Sequence, residues 1–198
     1  MPWDGFAWFS LLLASYLIGG IPTAYLAGRI LRGVDIREMG DHNAGAANVS
    51  RNIGPRAGMA VGAIDIAKGA ATVLIAKLAL DSLTAEMISG VLVIAGHNWP
   101  IYLRLRGGRG AATAVGVLIA TLPLLTIPVG VASLALLYLT KKVIAALACF
   151  LTLVPVLAWW PFFDYSYSQA GYALLIPVLA GISHVISVKR SAPAAKPR

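Results

Sequence analysis

The feature that most limits this chain is a series of long apolar runs separated only by short polar gaps, at residues 6–30, 56–80, 85–103, 111–139, 143–161 and 169–188. A helix needs about 20 residues to cross roughly 30 Å of hydrocarbon, and these runs match or exceed that length. Hydrophobic residues make up 59% of the 198 residues and charged residues 12%, about half the charged share of a soluble domain. A single soluble core of this size could not hide so much apolar surface. Strand-like alternation is lacking, and lipid demands that every backbone group be satisfied within its own segment. The expectation is an all-α polytopic membrane protein.

Charge placement sets the count of crossings. Arg32, Arg37, Arg51 and Arg56 follow the first run, and Arg104, Arg106 and Arg109 follow the third. Pro123 and Pro128 interrupt the fourth run, and proline removes a backbone donor and clashes with the preceding turn. If that run bends near Pro123, Lys141, Lys142, Lys189, Arg190, Lys196 and Arg198 all return to the basic side, while Asp4, Asp81, Glu86 and Asp164 collect on the other. The positive-inside rule favours this arrangement. Seven transmembrane helices are therefore expected, with the N-terminus outside and the C-terminus cytoplasmic. The leg at 111–122 is short for a crossing, so a half-helix buried against its neighbours is expected there. Residues 1–190 read as one transmembrane domain, and 191–198 as a basic, Pro/Ala-rich disordered tail. Asp4 and the absence of Lys or Arg in 1–8 argue against a cleaved signal, so the first helix is read as retained.

The net charge of +8 would suggest nucleic acid in a soluble protein, but here the basic residues sit between apolar runs. Such clusters orient a protein in the membrane and meet anionic headgroups or substrates, and no nucleic-acid partner is expected. Cys149, the only cysteine, lies inside an apolar run, which leaves no disulfide framework or cysteine metal site. No metal and no cofactor are expected. Trp3, Trp8, Trp159, Trp160, Tyr165 and Tyr167 read as interfacial belts.

Two loops on the basic side carry chemistry. Residues 35–54 gather glycines and small residues with Asn43, Asn48 and Arg51. Gly45 and Ala46 allow close backbone approach, amide side chains add neutral donors, and Arg51 can grip a phosphate bidentately. The plainer alternative is a re-entrant loop that caps helix ends. In the second segment, 96–113, Gly107-Gly108-Arg109-Gly110 feeds a helix starting near Ala111. Free N–H groups and the positive end of a helix dipole suit phosphate; a tight turn with topology-setting arginines is the alternative. His97 and Asn98 end the third run. His97 could be a general base, a protonated anion binder or a packing residue. Asp65 and Lys68 lie three apart on one helical face. Each costs about 2.5–3.5 kcal/mol at a membrane helix centre, so they must face the interior, paired together or orienting a polar site.

These segments, in this order, resemble the bacterial PlsY family of acyl-phosphate:glycerol-3-phosphate acyltransferases. The family's GSGNIGATN is matched by 40–48, its following Arg by Arg51, and its D-x-x-K-G helix by Asp65 to Gly69. Its GHNFPIFLxFKGGKGVAT is matched at His97, Asn98, Pro100, Gly107, Gly108, Gly110, Ala112 and Thr113. The resemblance implies seven transmembrane helices in a bacterial inner membrane, multi-pass, with the active site facing the cytoplasm. It implies attack of the 1-hydroxyl of glycerol 3-phosphate on an acyl phosphate, giving lysophosphatidic acid and inorganic phosphate, the first step of phospholipid synthesis. Partners so implied are the two substrates and membrane lipids, without metal, acyl carrier protein or obligate protein partner. Carried onto this sequence, Asn43, His97 and His184 are catalytic. Gly45, Asn48, Arg51, Asn98, Gly107, Gly108, Arg109, Gly110 and Thr113 bind substrate phosphate, and Asp41, His42, Asp65 and Lys68 support them. The sequence departs from the family pattern at Asp41 for Ser, His42 for Gly, Gly20 for Ser in GSIP, Arg109 for Lys, and Ser183 and Ser187 for the Arg and Asn around His184. Asp41 beside an anionic donor requires neutralisation, expected from His42 or Arg37. The alternatives are a paralogue with another acceptor or no catalysis, and a membrane anion transporter.

Overall fold

Prolines and glycines set where the helices begin and end. In the computed structural model, which describes residues 4–191, the first apolar run is not one helix as expected. It divides into α1 (Asp4–Gly20) and α2 (Thr23–Arg32), because Pro22 has no amide to donate. The first loop holds a single 3-10 turn, Ile36–Glu38, and a short helix that the sequence reading did not anticipate, α3 (Ala46–Asn52). Helix α4 (Pro55–Leu80) starts on a proline, whose fixed φ suits the first helical position. Helix α5 (Leu83–Asn98) stops short of the expected limit at 103, before Pro100 and a 3-10 turn, Ile101–Leu103. The fourth run divides at Leu122 into α6 (Ala111–Thr121) and α7 (Pro123–Thr140), as the prolines foretold. Helices α8 (Val143–Ala158) and α9 (Tyr167–Ser191) complete the described chain, in which there is no strand. Trp3 and residues 192–198 of the expected tail lie outside the described residues, as do the side chains of His184, Ser187, Lys189 and Arg190.

Three stretches are long and apolar enough to cross a membrane: Gly5–Arg32, Pro55–Leu80 and Pro123–Thr140. Ala111–Thr121 and Val143–Ala158 are apolar but shorter. Phe6, Leu78, Leu124, Leu134, Leu139 and Phe162 all point outward, a surface suited to lipid and not to water. Helix α6 spans only about 16 Å at 1.5 Å per residue. Thr113 through Leu118 are buried on all sides, which fits the expected half-helix held inside protein.

Glycines join the central helices backbone to backbone. A methyl group at Gly69 of α4 would strike the Thr113 carbonyl, and one at Gly116 of α6 would strike the Ile66 carbonyl. The same reciprocity joins α1 to α5, where Gly19 faces the Val93 carbonyl and Gly96 the Tyr16 carbonyl. With no hydrophobic drive between helices in lipid, this close van der Waals contact is what holds them. It sets the end of α5 and the start of α6 beside Asp65 and Lys68 on α4. The main core lies among α4 to α9 around Ile94, Leu118, Leu122, Leu125, Phe150 and Ile176. A smaller one, built from Ala24, Ile36, Ala44, Val49 and Val61, anchors the first loop on α2 and α4.

Candidate active site

The first loop is held in shape by Asn48. Its side chain is fully buried, and Nδ2 lies 2.9, 3.0 and 2.9 Å from the carbonyls of Ile36, Met39 and Asn43. Oδ1 accepts from Asn52 at 2.7 Å. The Asn48 amide, expected to offer itself to a phosphate, is here engaged in folding the loop. Asp35 starts the 3-10 turn by accepting the Arg37 amide at 3.0 Å and grips the Arg37 guanidinium at 3.0 and 2.7 Å. The Arg37 side chain holds the Asp35 carboxyl below the usual carboxylate range. Arg37 also donates to the Leu103 carbonyl at 3.2 Å and so ties the first loop to the second. His42, in the left-handed region at φ 56°, sets Nδ1 3.1 Å from the Arg37 carbonyl. Gly45 precedes α3 in an extended conformation, beside the Asn43 amide.

The second loop is packed onto the end of α5. The amides of Gly107 and Gly108 donate to the carbonyls of Asn98 and His97 at 3.2 and 3.0 Å. These two N–H groups, expected to face an anion, are therefore occupied. The opening amides of α6, which follow Arg109 and Gly110, have no intrahelical partner. A side chain at Gly107 would collide with the His97 carbonyl, and one at Gly108 with His97 Nε2. Gly110, at φ 75°, turns the chain into α6.

The two loops meet at Asp41. Arg51 donates to Asp41 Oδ2 at 2.8 Å, and Arg109 reaches the same oxygen at 3.3 Å. The neutralisation expected from His42 or Arg37 comes instead from these two arginines, because Arg37 is committed to Asp35. Asp41 Oδ1, Asn43 Oδ1, both polar atoms of Asn98, Arg109 Nε and Thr113 Oγ1 are buried without a hydrogen-bond partner among the described residues. Buried polar atoms are normally paired, so this concentration makes the place a candidate for a polar ligand. Beside it opens a cavity of about 650 Å³ bordered by Arg37, His42, Asn98, Arg104, Arg106, Gly107, Gly108 and Ser183. Neither Arg51 nor Arg109 lines this cavity.

Beneath the turn runs a buried polar chain. Thr23 Oγ1 donates to Asp65 Oδ1 at 2.7 Å, and Lys68 Nζ lies 2.9 Å from the same oxygen. Lys68 Nζ also lies 2.9 Å from His97 Nδ1 and 3.2 Å from the Ile21 carbonyl. Asp65 and Lys68 are thus paired with each other, and Lys68 also contacts His97. No group of three metal-ligating side chains occurs among the described residues.

Residues 9–193 match the family described as Glycerol-3-phosphate acyltransferase. The chain belongs to the glycerol-3-phosphate acyltransferase family. As a member it is a membrane enzyme of acyl transfer to glycerol 3-phosphate, which sides against both an anion transporter and another acceptor. It is 41% identical over 184 residues to glycerol-3-phosphate acyltransferase 4 of Dehalococcoides mccartyi, covering 91% of this chain and 96% of that one. Identity is 35% over 184 residues with the glycerol-3-phosphate acyltransferase of Prochlorococcus marinus, 91% of each chain. Among solved structures, the glycerol 3-phosphate form of PlsY, an integral membrane glycerol 3-phosphate acyltransferase, superposes with a TM-score of 0.77 at 27% identity, covering 92% of this chain and 90% of that one. Its lysophosphatidic acid form gives 0.75 at 28% identity, with the same coverage.

Several residues around this candidate site escape sequence reasoning. Ser183, read only as a lost arginine, donates to the Gly108 carbonyl at 3.3 Å and fixes α9 to the turn. Thr23 was invisible because nothing local pairs it with Asp65, 42 positions away. Arg104 and Arg106 were read for topology alone, yet both border the cavity.

Proposed function

We propose that the acyl group comes from an acyl phosphate and is placed on the 1-hydroxyl of glycerol 3-phosphate. The bond formed joins the hydroxyl oxygen to the acyl carbon, and the bond broken joins that carbon to the phosphate oxygen. Lysophosphatidate and inorganic phosphate result, and the hydroxyl proton leaves with the phosphate. We place the reaction at the cytoplasmic side of a bacterial inner membrane, in a bundle of seven spans with its N-terminus outside and its C-terminus inside. The acyl chain lies between helices, against lipid.

One observation carries this reading: arginines from two separate loops converge on a single carboxylate oxygen, at 2.8 and 3.3 Å. Two substrates that are both anions repel each other, and fixed cations lower that repulsion while orienting the reacting groups. Arg51 and Arg109 hold phosphate oxygens there. Gly45, Gly107 and Gly108 keep the backbone close, and Gly110 and Thr113 bring the α6 amides to the ligand. Asn43, Asn98, His97 and His184 contact the reacting groups, while Asp41, His42, Asn48, Asp65 and Lys68 keep them in position. The test is purified protein supplied with acyl phosphate and glycerol 3-phosphate. Stoichiometric release of phosphate and lysophosphatidate is expected. Turnover with an acyl thioester and none with acyl phosphate would reject the donor assignment.

A further inference from the structure

Lys68 Nζ has three polar neighbours, as many as the N–H groups of an ammonium: Asp65 Oδ1 at 2.9 Å, His97 Nδ1 at 2.9 Å and the Ile21 carbonyl at 3.2 Å. An ammonium donates three hydrogen bonds and accepts none. With Lys68 charged beside the Asp65 carboxylate, the His97 nitrogen that faces it carries the lone pair, and the ring hydrogen belongs on Nε2. A doubly protonated ring is excluded on the same ground, because Nδ1–H would point at an N–H of Lys68. Asp65 is kept in register by Thr23, which donates to the same oxygen at 2.7 Å. The far side of the ring looks at the turn, where a side chain on Gly108 would collide with Nε2. Gly107 and Gly108 border both the large cavity and a pocket of about 10 Å³ beside His97, a volume near that of one water.

We infer that Lys68, backed by Asp65, is a positioning residue that locks His97 as its Nε2–H tautomer, so that His97 donates a hydrogen bond to phosphate at the glycine turn and is not a base. This rests on the proposed phosphate site at that turn. It replaces both functional roles open to His97 on sequence alone, since a ring whose free lone pair is taken by an ammonium can neither accept the hydroxyl proton nor carry a positive charge. The absence of a side chain at 108 then has a purpose beyond close packing: any side chain there would take the space at Nε2. A direct bond, or one through a single water, completes the contact.

The test is nitrogen NMR of the full chain carrying ¹⁵N-histidine, with His97 assigned by comparison with His97→Gln. Wild type is expected to give a protonated Nε2 and a bare Nδ1, and addition of inorganic phosphate is expected to move the Nε2 resonance. Lys68→Met removes the donor and leaves Asp65 Oδ1, 3.6 Å from Nδ1, to draw the ring hydrogen across. The tautomer should flip and kcat should fall about 100-fold, the scale of losing one aimed donor, with a smaller change in KM. Lys68→Gln keeps a neutral N–H and should keep both the tautomer and most of kcat. A bare Nε2 or a doubly protonated ring in wild type overturns the inference. So does an Nε2 resonance indifferent to phosphate, or a flipped tautomer in Lys68→Met with kcat intact. The nitrogen measurements need no turnover, so an inactive wild type would reject the acyl-phosphate reaction alone.

Discussion

Asp41 lies between the two arginines proposed to hold substrate phosphate, and removing its charge has a calculable effect. Asp41 Oδ2 lies 2.8 Å from Arg51 and 3.3 Å from Arg109, and the side chains are 32%, 54% and 21% exposed, so both pairs are partly solvated. Pairs of this exposure contribute roughly 0.5–1 kcal/mol each. A phosphate that enters must displace the carboxylate from both arginines and then lie next to its remaining charge. Asp41→Asn keeps the shape, removes the competitor and frees about 1–2 kcal/mol for the incoming anion, or about 5- to 30-fold in affinity. Initial rates against glycerol 3-phosphate concentration should give a KM lowered by that factor at low ionic strength. The gain should shrink as salt screens the arginines. A KM that rises, or that stays level and indifferent to salt, would refute the reasoning. Asp41 would then serve to align the arginines, not to compete for them.

Arg109→Ala should cut kcat/KM for glycerol 3-phosphate by about 100-fold in the phosphate-release assay, because a charged contact to phosphate is lost, and Arg109→Lys should restore part of it. Gly108→Ala should abolish turnover, since the methyl would collide with His97 Nε2 and lie 2.9 Å from the Ala44 carbonyl. The detergent-purified variant, followed by circular dichroism, should keep its helix content. Asp35→Asn should cost about 1–2 kcal/mol of loop stability, read as faster hydrogen exchange across 35–48. The Asp35 carboxyl lies below its ordinary value of 3.8. Its stabilising effect is thus fully present above that pH and is lost as acid protonates it below. Wild-type protection should fall only below about pH 4, and the variant should lack that slope.

The sequence was most informative where one physical rule governed alone. Apolar length picked out the long helices, and Pro123 correctly divided α6 from α7. The glycine turn leading into α6 was legible because local residue types suffice to describe one. Pro22 was passed over, although it breaks its run in the same way, because the surrounding run was taken as one crossing. Helix α3 has seven residues, too few for any periodic signal to emerge. Asn48 shows a different limit of the sequence. A buried amide that folds a loop and an amide that binds a ligand look alike until its neighbours are known. Partners distant in sequence, such as Ser183 with Gly108 or Thr23 with Asp65, depend on how helices stack and leave no local trace.

The glycine contacts between α1 and α5, and between α4 and α6, have a mechanical consequence. Where carbonyls stand in the path of any added methyl, two helices cannot slide past one another without separating altogether, so each such seam acts as a weld. The remaining helices meet through Leu125, Phe150 and Ile176, side chains with rotamers to exchange. The bundle is accordingly stiff on the side that carries the polar loops and compliant on the other. Two small charged molecules need a fixed cradle, and greasy tails of differing length need a yielding wall.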